Sequence, residues 1–452
     1  MHRHISRHLA PMVTQALADT RVVGVVGPRQ AGKSTLVRDL IADNANASYV
    51  SLDDQRVRTA AQADPQGFVS DRNGTLVIDE VQRVPELLLA IKAQVDRDQR
   101  PGQFLITGSS ALSATRGVSE TLTGRIERFE LWSFSQGELT QQREHFVDRL
   151  FADQIDLAYR TAMTKRDYLE HAAAGGFAEA VNRQGARRGA WFDSYVETVV
   201  EREAPGVAAS PRTAELPRLL RLIAARHGSV LNVSDLARDA GIPQRSVHRY
   251  LEVLEAVFLV RRLPAWSANL SQREIRTPKV YLTDSGLASH LRGIDPTALA
   301  RPEIALGADG PILEGFVYGE ILRQGGWSMI RPQLMHYRDR NHTEVDLVLE
   351  DRQRRVAAIE VKAGVDLGPK DLRPLTSLRD QLGERFVAGV VLNTGPEALR
   401  LSDRIYGVPI SALWDYQTPP DYNRLADRFE DYAILAKLGR DGASGKDVGG
   451  GG

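Results

Sequence analysis

The sequence predicts an α/β protein: a parallel sheet carrying a phosphate-binding loop, then a mostly helical region, then a second, smaller α/β domain. Three observations carry this. Short apolar, β-branched runs at Val22–Val26, Ser48–Leu52, Leu76–Ile78 and Phe104–Thr107 alternate with longer amphipathic stretches, the pattern of a parallel sheet flanked by helices. A glycine-rich loop, Gly27–Ser34, sits at the first strand–helix junction. Strand signals fade between about Ser135 and Gly206 and return after Pro311, in a helix, a strand pair, a helix and two more strands ending near Trp414.

A chain of 452 residues is long enough for several cores. The expected units are 1–140 for the first sheet, 141–212 for a helical linker or lid, 213–300 for a three-helix unit, 301–424 for the second α/β domain, and 425–452 for a glycine-rich, partly disordered tail. No run approaches the roughly 18 apolar residues of a membrane span, and no apolar segment follows the basic N-terminus to make a secretory signal. The absence of cysteine excludes disulfides, thiolate zinc and cysteine nucleophiles, and makes a reducing cytoplasm the expected compartment. With 58 basic and 58 acidic residues the formal net charge is zero, so any nucleic-acid contact must come from a local patch. His2, His4 and His8 have no ligand spacing on a structured element and read as a solvated tail.

Gly27-Pro-Arg-Gln-Ala-Gly-Lys-Ser34 matches the phosphate-loop pattern at every position, between the apolar strand Val22–Val26 and an amphipathic helix. Gly27 and Gly32 let the chain wrap an anion with its amides turned inward, and Pro28, Arg29, Gln30 and Ala31 complete the cradle. Lys33 puts a point charge against the β- and γ-phosphates of ATP. Ser34 offers a hydroxyl to Mg²⁺, and Thr35 continues the helix whose positive end faces the anion. Thr75-Leu-Val-Ile-Asp-Glu80 is an apolar strand ending in two acids: Asp79 to hold Mg²⁺ and Glu80 to orient the attacking water. Glu80 tips the reading from binding toward hydrolysis. Phe104-Leu-Ile-Thr-Gly-Ser-Ser110 brings Ser109 or Ser110 either to the γ-phosphate or to a helix cap. Arg125, in Leu-Thr-Gly-Arg, either reaches a γ-phosphate in cis or across a subunit boundary, or is solvated. Asp53 and Asp54 read as caps of the next helix.

These runs, with Leu-Val-Ile-Asp-Glu-Val-Gln and Ile-Thr-Gly-Ser-Ser, resemble the AAA+ module of prokaryotic ATPases fused to a C-terminal domain known as DUF4143. Gly175-Gly-Phe-Ala-Glu179, Lys279-Val-Tyr-Leu-Thr-Asp-Ser-Gly-Leu287 and Glu344-Val-Asp…Ile359-Glu-Val-Lys362 carry the resemblance to about Trp414. It implies a cytoplasmic ATPase that uses ATP and Mg²⁺. AAA+ modules often assemble, so a homo-oligomer is a possible state.

Between Leu216 and Leu263 three helical segments with tight joints precede a candidate wing strand, Phe258–Leu263. Ser234 reads as the cap of the second helix, and Gly241-Ile-Pro as the turn into the third. Val247, Tyr250, Leu251 and Leu254 form its inner face. This resembles a winged helix, whose third helix commonly enters the major groove of DNA. Gln244, Arg245, His248 and Arg249 fall on its open face, suited to phosphates and base edges. The same unit also serves elsewhere as a packing or docking module.

Alternating apolar residues make Thr343–Glu350 and Ala357–Lys362 strands, and a hairpin would bring Asp346 beside Glu360, with Lys362 on the same face as Glu360. Glu314, on an amphipathic helix Ile312–Arg323, is a third acid. The set resembles the PD-(D/E)xK phosphodiesterase core: Glu314, Asp346 and Glu360 to hold Mg²⁺, Glu360 and Lys362 to act on water and the developing charge. An acid–lysine pair across a sheet is also a common structural feature. Two functions therefore stand side by side. One is an ATP-driven machine that engages and cuts DNA. The other is a nucleotide-operated regulatory switch, of signalling or toxin–antitoxin type, whose C-terminal domain binds a partner without cutting.

Overall fold

A computed structural model describes residues 4–70, 73–108, 122–202, 204, 215–294, 309–341, 343–416 and 418–421. Ser109, Ser110 and the glycine-rich tail lie outside them.

The first unit opens with α1 (Ala10–Asp19), β1 (Val22–Val26) and α2 (Lys33–Ile41), followed by β2 (Ser48–Ser51), α3 (Gln55–Ala63) and α4 (Pro65–Val69). Next come β3 (Leu76–Asp79), α5 (Glu86–Arg97), β4 (Phe104–Gly108) and β5 (Ile126–Glu130). The strands form one parallel sheet in the order β2-β3-β4-β1-β5. Every residue of β1 is buried, as an apolar run covered by helices on both faces requires. The four expected strands are present. The fifth, Ile-Glu-Arg-Phe-Glu, escaped sequence reading because it is an edge strand: its charged residues are part-exposed and no apolar run marks it.

Helices dominate the next stretch: α6 (Gln136–Thr140), α7 (Phe146–Phe151), α8 (Lys165–Ala174), α9 (Ala178–Val181) and α10 (Gly185–Arg202). The middle unit combines α11 (Leu216–Ala225), α12 (Val233–Ala240) and α13 (Gln244–Ala256) with a small sheet, β6 (Ser229–Val230), β8 (Lys279–Leu282) and β7 (Val260–Leu263), in the order β6-β8-β7. Helix α14 (Leu270–Ile275) leads into β8, and α15 (Ser285–Leu291) follows it. Val247, Tyr250, Leu251 and Leu254 are buried as expected. The cap of α12 is Asn232, not Ser234: its side chain accepts from the Asp235 amide at 3.1 Å, because the helix begins at Val233 and so puts Ser234 inside the first turn.

Helix α16 (Asp309–Trp327) is longer than the amphipathic segment expected over Ile312–Arg323, and it is buried on nearly every side. It packs on α7, α8, α15 and the C-terminal sheet, so no wide face is left for water. That sheet holds β9 (Gln333–Arg338), β10 (Glu344–Glu350), β11 (Val356–Val361), β12 (Phe386–Asn393), β13 (Leu399–Ser402) and β14 (Ile405–Pro409), in the order β13-β14-β12-β11-β10-β9. Strands β9, β10 and β11 are antiparallel neighbours. Helix α17 (Pro369–Leu382) connects β11 to β12, which runs parallel to it. One large apolar core runs from α7 and α8 through α16 onto this sheet.

Candidate functional site

The loop between β1 and α2 has the shape its glycines imply. Gly32 is left-handed at φ 90°, a backbone angle other residues resist, and a Cβ on Gly27 would sit 2.0 Å from the Leu131 carbonyl oxygen, so that position has no room for another residue. Lys33 is buried, and its ammonium donates to the Gly27 and Pro28 carbonyls at 3.0 Å each. The lysine therefore lies along the loop, with Gly32 at the helix N-terminus. Pro28 and Ala31 are buried, Arg29 is half-buried, and Gln30 and Thr35 are exposed.

Strand order brings the second half of the site alongside. The Ser34 hydroxyl donates to Asp79 Oδ1 at 3.1 Å, Tyr49 donates to Oδ2 at 2.7 Å, and Thr107 at the end of β4 also donates to Oδ1. The Asp79 carboxylate thus faces Ser34 on a polar wall. This pair of oxygen donors fits Mg²⁺, a hard cation that is held by one or two carboxylates and hydroxyls beside phosphate. Glu80 follows in the left-handed region at φ 60°, its amide tied to Thr107 Oγ1 at 3.1 Å and its carboxylate to Gln82. A non-glycine residue held there is strained, and such strain gathers at functional sites.

A residue that sequence reading missed holds the loop from outside. Arg7 is buried, and its guanidinium donates to the Ala31 carbonyl (2.6 Å), the Trp132 carbonyl (2.7 Å) and Glu138 (2.9 Å). His8 packs edge-on against Trp327 and reaches Glu144 at 3.2 Å, while His4 pairs with Asp39. The expectation of a solvated tail is thus corrected for His8, which is docked, while His4 stays exposed in a surface pair; His2 lies outside the described residues. No local motif marks Arg7, because all its partners are distant in sequence.

From Arg7 a polar chain continues inward. Glu320 on α16 accepts from the Gln136 amide at 2.9 Å, and burial pushes its carboxyl up to about 8 while Arg323 opposes the shift. Arg323 donates to the Ser133 hydroxyl (2.6 Å), which itself donates to Asp284 (2.9 Å). Asp284 caps α15 and accepts from the Gly176 amide at 2.9 Å. Gly175 and Gly176 are required by closeness: added Cβ atoms would lie 2.3 Å from Asp284 and 2.1 Å from the Phe134 carbonyl. The two motifs around Gly175 and Asp284 therefore meet in one buried node that joins four segments of the chain.

Arg125 lies away from the phosphate loop. It precedes β5 at the end of the sheet where β1 begins, since Val22 pairs with Ile126, whereas the loop leaves the other end of β1. Its guanidinium forms a two-pronged pair with Asp96, at 2.5 and 2.9 Å. Parallel register thus removes the cis contact anticipated for it. Asp54 caps α3 as expected, while Asp53 instead pairs with Arg83.

Gln244, Arg245, His248 and Arg249 are all exposed on α13. Among the described residues no helix is long and apolar enough to cross a membrane.

The C-terminal carboxylates meet as the hairpin predicted, but around a cation of the protein's own. The β10–β11 register pairs Leu347 with Ile359, so Asp346 lies opposite Glu360. Asp346 accepts from the Val361 amide at 3.0 Å, and Lys362 donates to Glu360 at 2.7 Å. The unforeseen member is Lys279, the first residue of β8, whose side chain is 1% exposed. Its ammonium contacts Glu314 at 2.9 Å, Glu344 at 2.6 Å and Asp346 at 3.0 Å. Burial alone would lower its pKa; the three carboxylates outweigh burial and raise it. Tyr281, two residues on, donates to Glu314 at 2.6 Å. Burial and the Asp346 charge push Glu314 up to about 7 against the pull of Lys279, and they push Glu360 up to about 8 against Lys362. The metal set expected from Glu314, Asp346 and Glu360 does not fit this arrangement. An ammonium occupies the focus of two of these carboxylates, and among the described residues no group of acids and histidines is arranged for a metal ion. Lys279 is 35 residues from Glu314 and lies on a different sheet from Asp346, so strand periodicity could not reveal it.

Residues 19–140 match the model of a family described as an AAA domain. Residues 165–298 and 309–413 match two described as domains of unknown function, DUF8612 and DUF4143. An uncharacterized protein of Mycobacterium tuberculosis is 30% identical over 409 residues, covering 90% of this chain and 84% of its own; one of Mycobacterium bovis gives the same figures. Among solved structures, a Walker-type ATPase of Pyrococcus abyssi aligns with 14% identity and a TM-score of 0.40 over 64% of this chain and 98% of that one. The AMPPCP-bound DnaA of Aquifex aeolicus aligns with 12% identity and a TM-score of 0.27 over 55% and 86%.

Proposed function

The chain belongs to the AAA-domain family with a C-terminal DUF4143 domain that includes these mycobacterial relatives, and from that premise we propose that it binds and hydrolyses ATP at Gly27–Ser34 and uses the nucleotide state to operate its C-terminal unit as a binding switch. The observation that carries the ATPase reading is the convergence of Lys33, Ser34, Asp79 and Glu80 at one end of the parallel sheet.

In this reading Lys33 turns from the loop carbonyls to the β- and γ-phosphates, and the loop amides hold the remaining oxygens. Ser34 and Asp79 would hold Mg²⁺, which neutralises charge on the phosphates when bound. Glu80 orients the attacking water, and Thr107 keeps the Glu80 backbone turned toward the site. Arg7 gives the loop a rigid outer support and links it, through Glu138 and Gln136, to Glu320 and Arg323 on α16. A rearrangement of the loop on nucleotide binding therefore has a packed, hydrogen-bonded path to the C-terminal unit. Helix α13 presents Gln244, Arg245, His248 and Arg249 to DNA, and assembly into a homo-oligomer would bring Arg125 to a neighbour. A reducing cytoplasm suits a chain without cysteine.

The Asp346–Glu360–Lys362 register favours a second reading, metal-dependent phosphodiester cleavage. Lys279 weighs against it, because a cation already balances Glu314 and Asp346. The test is ATP turnover and DNA cleavage measured together, on single-stranded, duplex and branched DNA with Mg²⁺ or Mn²⁺. Lys33→Ala, Glu80→Gln and Glu360→Ala/Lys362→Ala are the variants. We expect turnover to fall by about 10²–10⁴-fold in the first two, the range for loss of charge stabilisation or a positioned base, with no cleavage by any form. Undiminished turnover in Lys33→Ala would end the ATPase reading. Cleavage lost only in the double variant would overturn the switch in favour of a nuclease.

A further inference from the structure

The molecule has no net formal charge, yet one cleft concentrates its arginines. A hollow of about 890 Å³ opens between β5, β7, the second half of α16 and β9. Arg128, Arg261, Arg262, Arg273, Arg276 and Arg331 line it, with Glu130 as the one carboxylate in the lining. Four of these arginines are held by acids: Arg261 by Glu130, Arg262 by Glu255, Arg273 by Glu350 and Arg331 by Glu127. The other two have no carboxylate. Among the described residues Arg128 has no hydrogen-bond or ion-pair partner, and Arg276 donates only to the Arg338 carbonyl, at 3.1 Å.

The cleft also contains an unanswered hydroxyl. Tyr318 is 1% exposed and lines it, and its hydroxyl is buried with no hydrogen-bond partner. Buried polar atoms in folded proteins are nearly always paired, so a missing partner here points to a ligand. The walls are stiff. Arg261, Arg273 and Arg331 lie over the rings of Trp132, Trp266 and Phe129 at 5.4, 5.5 and 5.7 Å, which fixes the planes of their guanidinium groups. A planar fork of N–H donors matches the oxygens of a phosphate, and an arginine in a part-exposed ion pair can exchange its carboxylate for one.

We propose that this cleft is a phosphate-binding site, built for the phosphodiesters of a nucleic-acid strand or for the phosphates of a free nucleotide. It is separate from Gly27–Ser34 and from the open face of α13, and it rests on neither reading. Arg128 and Arg276 supply the uncompensated charge, Arg261, Arg262 and Arg331 in their part-exposed pairs add donors as the ligand enters, and the Tyr318 hydroxyl donates at the floor. Its position matters, because the first sheet, the small middle sheet and the C-terminal unit each contribute a wall, so a bound strand would touch all three.

The test uses the full chain carrying Lys33→Ala, so that the phosphate loop is disabled. Fluorescence anisotropy measures binding of a labelled oligodeoxythymidylate in one arm and a labelled ATP in the other. Added variants are Arg128→Glu/Arg276→Glu, the milder Arg128→Gln/Arg276→Gln, Tyr318→Phe, and Arg245→Glu/Arg249→Glu on α13. We expect strand binding to weaken at least about tenfold in the cleft double variants. The slope of log affinity against log salt should flatten by about 1.4, the value for two lost single-strand contacts. Tyr318→Phe should weaken binding a few-fold with no loss of thermal stability, which a merely structural tyrosine would not do, and the cleft substitutions should weaken binding in the α13 variant background as well. If only labelled ATP responds to the cleft variants, the site stands and its ligand is the nucleotide. Unchanged affinity and salt slope in both cleft double variants, or a loss seen only in the α13 variant, overturns the proposal.

Discussion

Replacing Lys279 by methionine isolates the most unusual charge in the molecule. The side chain keeps its length and apolar stem but loses the ammonium that three carboxylates share at 2.6–3.0 Å. Glu344 is one-third exposed and can turn to water, so the cost falls on Glu314 and Asp346, whose side chains are 16% and 13% exposed. Removing one partner of a buried ion pair costs about 3–5 kcal/mol, because the remaining charge is left without compensation. At about 2–4 °C per kcal/mol for a unit of this size, the melting temperature should fall by roughly 6–20 °C near pH 8. The deficit should shrink in acid. Glu314 already titrates at about 7 with the lysine beside it, and loss of the lysine moves it higher, so the variant relieves its repulsion by taking up a proton. Differential scanning fluorimetry at about pH 5.5 and about pH 8, with and without Mn²⁺, reads both effects. Manganese should stabilise the variant by filling the vacated focus and should leave the parent unchanged. A variant as stable as its parent at pH 8 would refute the idea that Lys279 balances this cluster. A parent that Mn²⁺ stabilises as much as it does the variant would show that the lysine does not exclude metal.

Glu360→Gln tests the neighbouring acid. A carboxyl raised from 4.5 to about 8 keeps in the folded state a proton that the unfolded chain releases, so its contribution makes stability fall as pH rises from 4.5 to 8. Urea melts at several pH values should show glutamine becoming steadily more favourable across that window and level above it; a constant difference would contradict the shift. Arg7→Ala removes three donors from buried acceptors, and should weaken ATP binding about tenfold or more by loosening the loop, measured by calorimetry on the Glu80→Gln background. Asp284→Asn keeps the shape of the node but turns one acceptor into a donor, facing either the Gly176 amide and the Ser133 hydroxyl or the Gly286 and Leu287 amides. A loss of about 1–3 kcal/mol is expected in chemical denaturation, and a neutral result would mean that the node relaxes.

What the sequence disclosed and what it hid divide along a physical line. Gly27–Ser34 is contiguous, and wrapping an anion with backbone amides dictates residue type at each step, so the loop could be read directly. Asp346 and Glu360 could be paired because side chains alternate along a strand and a hairpin fixes the register. Val247, Tyr250, Leu251 and Leu254 followed from helical spacing. Nothing local, by contrast, connects Arg7 to Ala31 and Glu138, or Lys279 to Glu314 and Asp346. Those contacts exist because whole units pack together, and a lone basic residue looks the same in sequence whether buried or solvated. Arg125 was left open between a cis contact, a contact across a subunit boundary and a solvated place for a related reason: its motif gives residue type, but only the parallel register reveals which end of the sheet it occupies and so removes the cis contact.

The buried node at Asp284 also bears on how the chain is made. Ser133, Gly176, Asp284 and Arg323 enter the growing polypeptide far apart, and each leaves a polar group stranded until the last has arrived. The first sheet can form early during synthesis, but Ser133 at its margin and the Gln136 amide find their α16 partners only after about Arg323 has left the ribosome. A nascent or truncated chain ending before that point would expose apolar surface from α16's vacant seat, a natural target for chaperones and proteases. A unit moved singly into another protein would lose part of its interior, because each supplies buried polar partners to its neighbour.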